Sequence, residues 1–215
     1  MFLFSKLNHP DQLLNKSDPQ WFDVGQPFSN VKGVIAFSPF WVSKKLYYGS
    51  IDNRPIRFDF PIRNPRVKRL VFRGNRSPYL AQLLKNQLSV PIRPKPSRAL
   101  DHGVWAPMRM TFPADTVPVL QVSCPPDLVH TDPLIHDLIQ LAHDNILILF
   151  TGLCFFHLPY SASSVYPDPL PPVHRQIYAL YQSLTSRFDH QVLRSSTPEC
   201  PADPYSGHSI CCVRV

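Results

Sequence analysis

Glycine is scarce in this chain, with seven residues in 215 against twenty-five prolines. That balance excludes many long uninterrupted helices and implies rigid loops. A membrane-spanning segment is also missing, since no apolar run approaches the length that crosses a bilayer. The longest such run, Ile146–Phe156, is interrupted by Thr151 and Gly152 and reads as a buried strand with its turn. Met1-Phe-Leu-Phe-Ser-Lys6 is too short for the apolar region of a signal peptide. Five cysteines at irregular positions lack the Cys-x-x-Cys spacing of zinc sites. Without a signal peptide they read as reduced thiols, which points to a cytoplasmic protein.

What is present is a globular composition, 44% hydrophobic, in a length that fits one domain spanning residues 1–215. The net charge of +7 could suit nucleic acid, an anionic surface or an anionic substrate. Much of that charge crowds one segment: Arg54, Arg57, Arg63, Arg66, Lys68, Arg69, Arg73 and Arg76. We read the cluster as a solvated face. It lacks interleaved aromatic platforms and any recognisable binding motif, so neither nucleic acid nor a membrane is favoured as a partner.

Val31–Ser38, Val117–Ser123 and Asn145–Phe150 are near-continuous apolar runs of the kind that buried parallel strands show. Ser77–Leu88 predicts a helix, with Pro78 at its first position and Leu80, Leu83, Leu84 and Leu88 on one face. Asp132–His143 and a segment from about Val173 to Thr185 predict two more. Residues 1–30 read as polar and loop-like, with a short helix around Pro19–Val24. Lys44–Phe60 could hold one or two short strands, and Pro91–Pro96 reads as a stiff linker. Val104–Thr111 is ambiguous by period, and Asp101 is a candidate helix N-cap before it. Strands alternating with helices predict a three-layer α/β fold with a central mixed, mainly parallel sheet flanked by helices. Chemistry then belongs at the C-terminal strand ends, where Ser38-Pro-Phe-Trp41 falls.

The most informative stretch is Arg98-Ala-Leu-Asp-His-Gly-Val-Trp-Ala-Pro-Met-Arg-Met-Thr-Phe112. An acid, an imidazole and a glycine stand together just before a tryptophan. A carboxylate can fix the tautomer of a neighbouring His, and Gly permits close backbone approach. With Phe112-Pro113 and Val117-Pro-Val-Leu-Gln-Val-Ser123 downstream, the string resembles the signature of the class III extradiol ring-cleavage dioxygenases. The nearest branch is the subunit-B type that includes the DOPA 4,5-dioxygenases. Asp132-Pro-Leu-Ile-His136 and Ile146-Leu-Ile-Leu149 are similar to that family's next helix and strand. The resemblance is clear over about Val31–Leu184 and weaker at both ends, and it implies a helix after Asp101.

By resemblance the chain would open a catechol-type aromatic ring with O2, using Fe(II) or Zn(II). Such chemistry needs a few protein ligands, two His with a carboxylate or a third His, leaving open positions for catechol and O2. His157 matches the family's acid/base beside the metal, although Leu158 replaces the usual Asn. His102 would contact a substrate hydroxyl or assist its deprotonation, with Asp101 orienting it and sharing the substrate site. His9, in Asn8-His-Pro10, and His208, in Ala202-Asp-Pro-Tyr-Ser-Gly-His208, stand at the terminal ligand positions, giving His9, His208 and His157 as metal candidates. Phe40, in Ser38-Pro-Phe-Trp41, occupies a lost ligand position, because a phenyl ring has no lone pair to donate. Phe58, Phe60 and Pro61 match part of a pocket-shaping segment, with Asp59 where Gly is expected. His102 and His157 are therefore expected in one pocket beside Phe40, with His9 and His208 approaching it. The alternative is a catalytically impaired relative with a binding role, for which Phe40 is the strongest sign.

Overall fold

The computed structural model describes residues 1–5, 28, 30–52, 56–58, 65–70, 72, 78–112, 117–128, 132–151, 172–195 and 208–215. Among them are strands β1 (Phe2–Ser5), β2 (Gly33–Val42), β3 (Leu46–Tyr48), β4 (Ile92–Pro94), β5 (Val119–Cys124), β6 (Ile146–Thr151), β7 (His190–Ser195) and β8 (His208–Val213). The helices are α1 (Pro78–Gln87), α2 (His102–Thr111), α3 (Asp132–His143) and α4 (Pro172–Thr185). One eight-stranded sheet runs in the order β4-β3-β5-β2-β6-β1-β8-β7. Its centre, β5-β2-β6-β1, is parallel, while β8 and β7 continue it antiparallel.

Alternation along the strands divides the core between the two faces of the sheet. Phe2, Phe4, Ile35, Phe37, Leu120, Ile148 and Phe150 face α1, α3 and α4. Leu3, Val34, Ala36, Val119, Leu147 and Leu149 face α2, where Val104, Trp105 and Met108 close the second layer. On the first face, Phe37 stacks on Phe150 at 4.8 Å and 13°. Phe4 stacks on the same ring at 5.6 Å. The expected three-layer arrangement, a mixed and mostly parallel sheet between helices, is the observed one. No helix among the described residues is long and apolar enough to cross a membrane.

The ends and links differ from the sequence reading. Phe2–Ser5, expected in a loop, is an inner strand paired with β6 on one side and β8 on the other. Four residues are too few to show a period, yet Phe2, Leu3 and Phe4 are all buried. The Pro91–Pro96 linker contains β4, an edge strand on β3. Pro94 is tolerated there because an outer edge needs no N–H, and the exposed Arg93 and Lys95 help keep that edge unpaired. β6 begins one residue later than expected, because Asn145 takes a left-handed φ of 63° to end the turn after α3. Residues 19–24 lie outside the described residues.

Candidate functional site

The site is built where β2 leaves its ladder. Its pairing with β6 ends at Phe37, and its pairing with β5 jumps from Ser38↔Ser123 to Val42↔Cys124. Pro39, Phe40 and Trp41 therefore bulge out between two adjacent partners on β5. Bulges re-aim side chains, and a proline fits one because it has no N–H to leave unpaired. The buried Ser38 Oγ accepts a hydrogen bond from the Phe40 N–H at 3.2 Å. Trp41 turns inward, while Phe40 is left 37% exposed.

A polar clamp holds that bulge against the start of α2. Arg98 Nη2 donates to the Phe40 carbonyl at 3.0 Å and to Asp101 Oδ2 at 2.8 Å. Gln121 Nε2 donates to the same carboxylate oxygen at 2.5 Å, and its Oε1 accepts the Asp101 N–H at 3.1 Å. The Arg98 guanidinium also lies over the Trp41 ring, 5.1 Å from its centroid. Asp101 occupies the N-cap position, and its carbonyl accepts the N–H groups of Val104 and Trp105 at 3.0 Å each. Its side chain makes no capping bond. The cap reading is corrected in that respect: the fully buried carboxylate turns to Arg98 and Gln121 instead.

The rest of the signature is explained by contacts of the same kind. Trp105 Nε1 donates to the Arg57 carbonyl at 2.7 Å, and Phe58 meets the indole edge-on at 5.3 Å. Ser123 Oγ accepts the Tyr47 N–H at 2.9 Å and so fastens β3. Gly103 brings α2 down onto the strand ends. A Cβ there would collide with Ser38 Oγ and lie 2.9 Å from the Phe40 ring and 3.1 Å from Thr151 Oγ1. His102 is carried alongside, 3% exposed, with its ring centroid 4.1 Å from that of Phe40 at 42°. Thr151 Oγ1, at the end of β6, is buried with no hydrogen-bond partner among the described residues.

Of the residues singled out in the sequence, the structure thus brings His102, Asp101 and Phe40 together at the C-terminal ends of the parallel strands. Phe58 packs edge-on against Trp105. His9, His157, Asp59, Phe60 and Pro61 lie outside the described residues. The backbone of His208 opens β8, opposite Ser195 on β7. Among the described residues no three His, Cys, Asp or Glu side chains gather as a metal-binding group. Phe40 supplies no donor, so the described residues do not by themselves fit Fe(II) or Zn(II). Cys124, at the end of β5, is no substitute: burial pushes its thiol up to about 12, and a neutral thiol is a poor ligand and nucleophile.

Arg98 and Gln121 are not among the site residues that the sequence singles out. Gln121 carried a usable signal, being a lone amide in the apolar run Val119-Leu-Gln-Val122, where a buried amide needs a partner. Arg98, three residues before Asp101, gave only a spacing.

Comparison with known proteins agrees in outline. No family model matches the chain. Over 127 residues it is 25% identical to the 4,5-DOPA dioxygenase extradiol of Beta vulgaris, a match covering 56% of this chain and 47% of that protein. The chain thus spans about half the length of the curated relative it matches. The crystal structure of the uncharacterized protein JW3007 from Escherichia coli K12 superposes with a TM-score of 0.61 at 14% identity, over 98% of each chain. The second likeness is one of fold. The first suggests a distant relationship to the extradiol dioxygenases.

Proposed function

We propose that this chain is an extradiol-dioxygenase-like protein that opens a catechol-type aromatic ring with O2. The observation that carries the reading is the seating of Asp101-His102-Gly103 against the ends of β2 and β6. His102 would hydrogen-bond a ring hydroxyl or take its proton, and Asp101 would hold the turn that presents it. The connectivity adds support. β1 ends at Ser5, four residues before His9, and β6 ends at Thr151, six residues before His157. β8 runs antiparallel to β1, so its first residue, His208, starts at the same end of the sheet. His9, His157 and His208 are the proposed metal ligands, with His157 also the proposed acid/base.

Phe40 favours a second reading, an impaired relative that binds an aromatic ligand without turning it over. Oxygen uptake by protein supplied with Fe(II) and simple catechols separates the two. The dioxygenase reading expects uptake that falls about a hundredfold or more in His102→Gln, the range lost with an acid/base group. Uptake that His102→Gln leaves unchanged would contradict this site. Catechol binding without uptake would leave the binding role.

A further inference from the structure

We infer that Arg98 is the positioning residue of this site, fixing where position 40 presents its side chain to His102. The inference rests on the reading of the strand ends as the functional site. Phe40 lies in a bulge, outside the ladder that would otherwise set its direction. The bulge is fastened by Ser38 Oγ at the Phe40 N–H and by Arg98 Nη2 at the Phe40 carbonyl. The same Nη2 holds the Asp101 carboxylate, one residue before His102. One guanidinium therefore joins the two backbone segments that carry the facing rings.

Arg98 is itself anchored. Its N–H donates to the Lys95 carbonyl at 2.9 Å, its carbonyl accepts the Ser50 N–H at 2.9 Å, and its guanidinium rests on Trp41. The pair it makes is buried, with side chains 11% and 0% exposed. Buried pairs of this kind rarely add net stability over well-packed apolar residues, and their best-supported use is to fix one geometry. Arg suits that use better than Lys, because the two N–H bonds of Nη2 have fixed directions in the guanidinium plane, one for the carbonyl and one for the carboxylate, whereas an ammonium rotates freely. Gln121 secures the Asp101 end of the clamp through both its amide atoms.

The test is the ring-current shift that the Phe40 ring imposes on the His102 imidazole protons, read by NMR on the full chain well below its melting temperature. Phe40→Leu gives the unshifted reference, and His102→Gln assigns the signals. Arg98→Met should lose the shift down to that reference, and Arg98→Lys should restore only part of it. A folded Arg98→Met that keeps the full native shift overturns the proposal. Should that variant fail to fold for want of a partner to Asp101, Arg98→Met with Asp101→Asn removes both charges together. The same loss is expected there, and a retained shift is equally decisive against the role. This readout needs neither metal nor substrate, so it can fail or succeed independently of the ring-cleaving reading. A second arm joins the two. In a Phe40→His background, Arg98→Met should weaken Zn(II) binding about tenfold or more, the usual cost of removing a residue that orients a ligand. If Phe40→His itself takes up no Zn(II), that arm counts against the metal site, and the NMR arm alone decides Arg98.

Discussion

Along β2, Gly33–Phe37 pairs residue for residue with β6 and is fully buried, whereas Ser38–Val42 leaves that ladder and exposes Phe40 and Val42. The first half is specified by packing: Val34 and Ala36 face α2, while Ile35 and Phe37 face the other helices. The second half is specified by polar contacts, Ser38 and Arg98 on the Phe40 backbone and Gln121 on Asp101. One strand thus combines a rigid support with a section whose direction is set by side chains.

Phe37→Ala should give the largest effect, because it removes a ring stacked at 4.8 Å on Phe150 in a close-packed layer. A loss of about 3–5 kcal/mol is expected, measured by denaturant unfolding. Gly103→Ala comes next. Its Cβ would meet the buried Ser38 Oγ as well as the Phe40 ring, so a loss of about 1–3 kcal/mol is expected together with displacement of Phe40 from His102. A neutral or stabilising result would show that α2 is not pressed onto the strand ends.

Cys124 sharpens the comparison from the buried side of the bulge. Its thiol ordinarily loses its proton near 9.0, but burial raises it to about 12 in the folded chain. Between those values the unfolded chain gives up a proton that the folded chain keeps. The contribution is therefore fully present below about pH 9 and is lost as pH rises toward about 12. Cys124→Ala should flatten that alkaline decline relative to the native chain, as followed by melting temperature. Identical slopes would mean that the thiol is not buried as described. Phe40→Ala should be the mildest, about 1 kcal/mol or less, since the ring is partly in solvent. A cost matching that of Phe37→Ala would erase the distinction between the halves.

Much of this arrangement was legible in the chain. The spacing of Leu134, Leu138 and Leu141 predicted α3, and the apolar runs predicted β2, β5 and β6 within a few residues. The pairing of His102 with Phe40 followed from the resemblance. β1 was not legible because four residues are too few to display a period, and β7 and β8 were not because His190, Gln191, Arg194, His208 and Ser209 interrupt their apolar residues, leaving them defined by pairing instead. The clamp was illegible for a related reason. The bond between Gln121 and Asp101 spans twenty residues, and that between Arg98 and Phe40 spans fifty-eight, so the lone amide in its apolar run shows that a partner is needed but nothing local says which.

Position 40 is proposed to be a vacated ligand position within a functional site at these strand ends. Metal-dependent melting of Phe40→His beside the native chain tests it most directly. The bulge fixes the backbone at position 40 through Ser38 and Arg98, so the new imidazole should be presented without rebuilding the fold. A metal that binds only the folded chain raises its stability by mass action. The account predicts that Phe40→His melts higher on addition of Fe(II) or Zn(II) and binds the ion more tightly than the native chain does. No gain in either affinity or metal-dependent melting would contradict it and remove Phe40 from the ligand position.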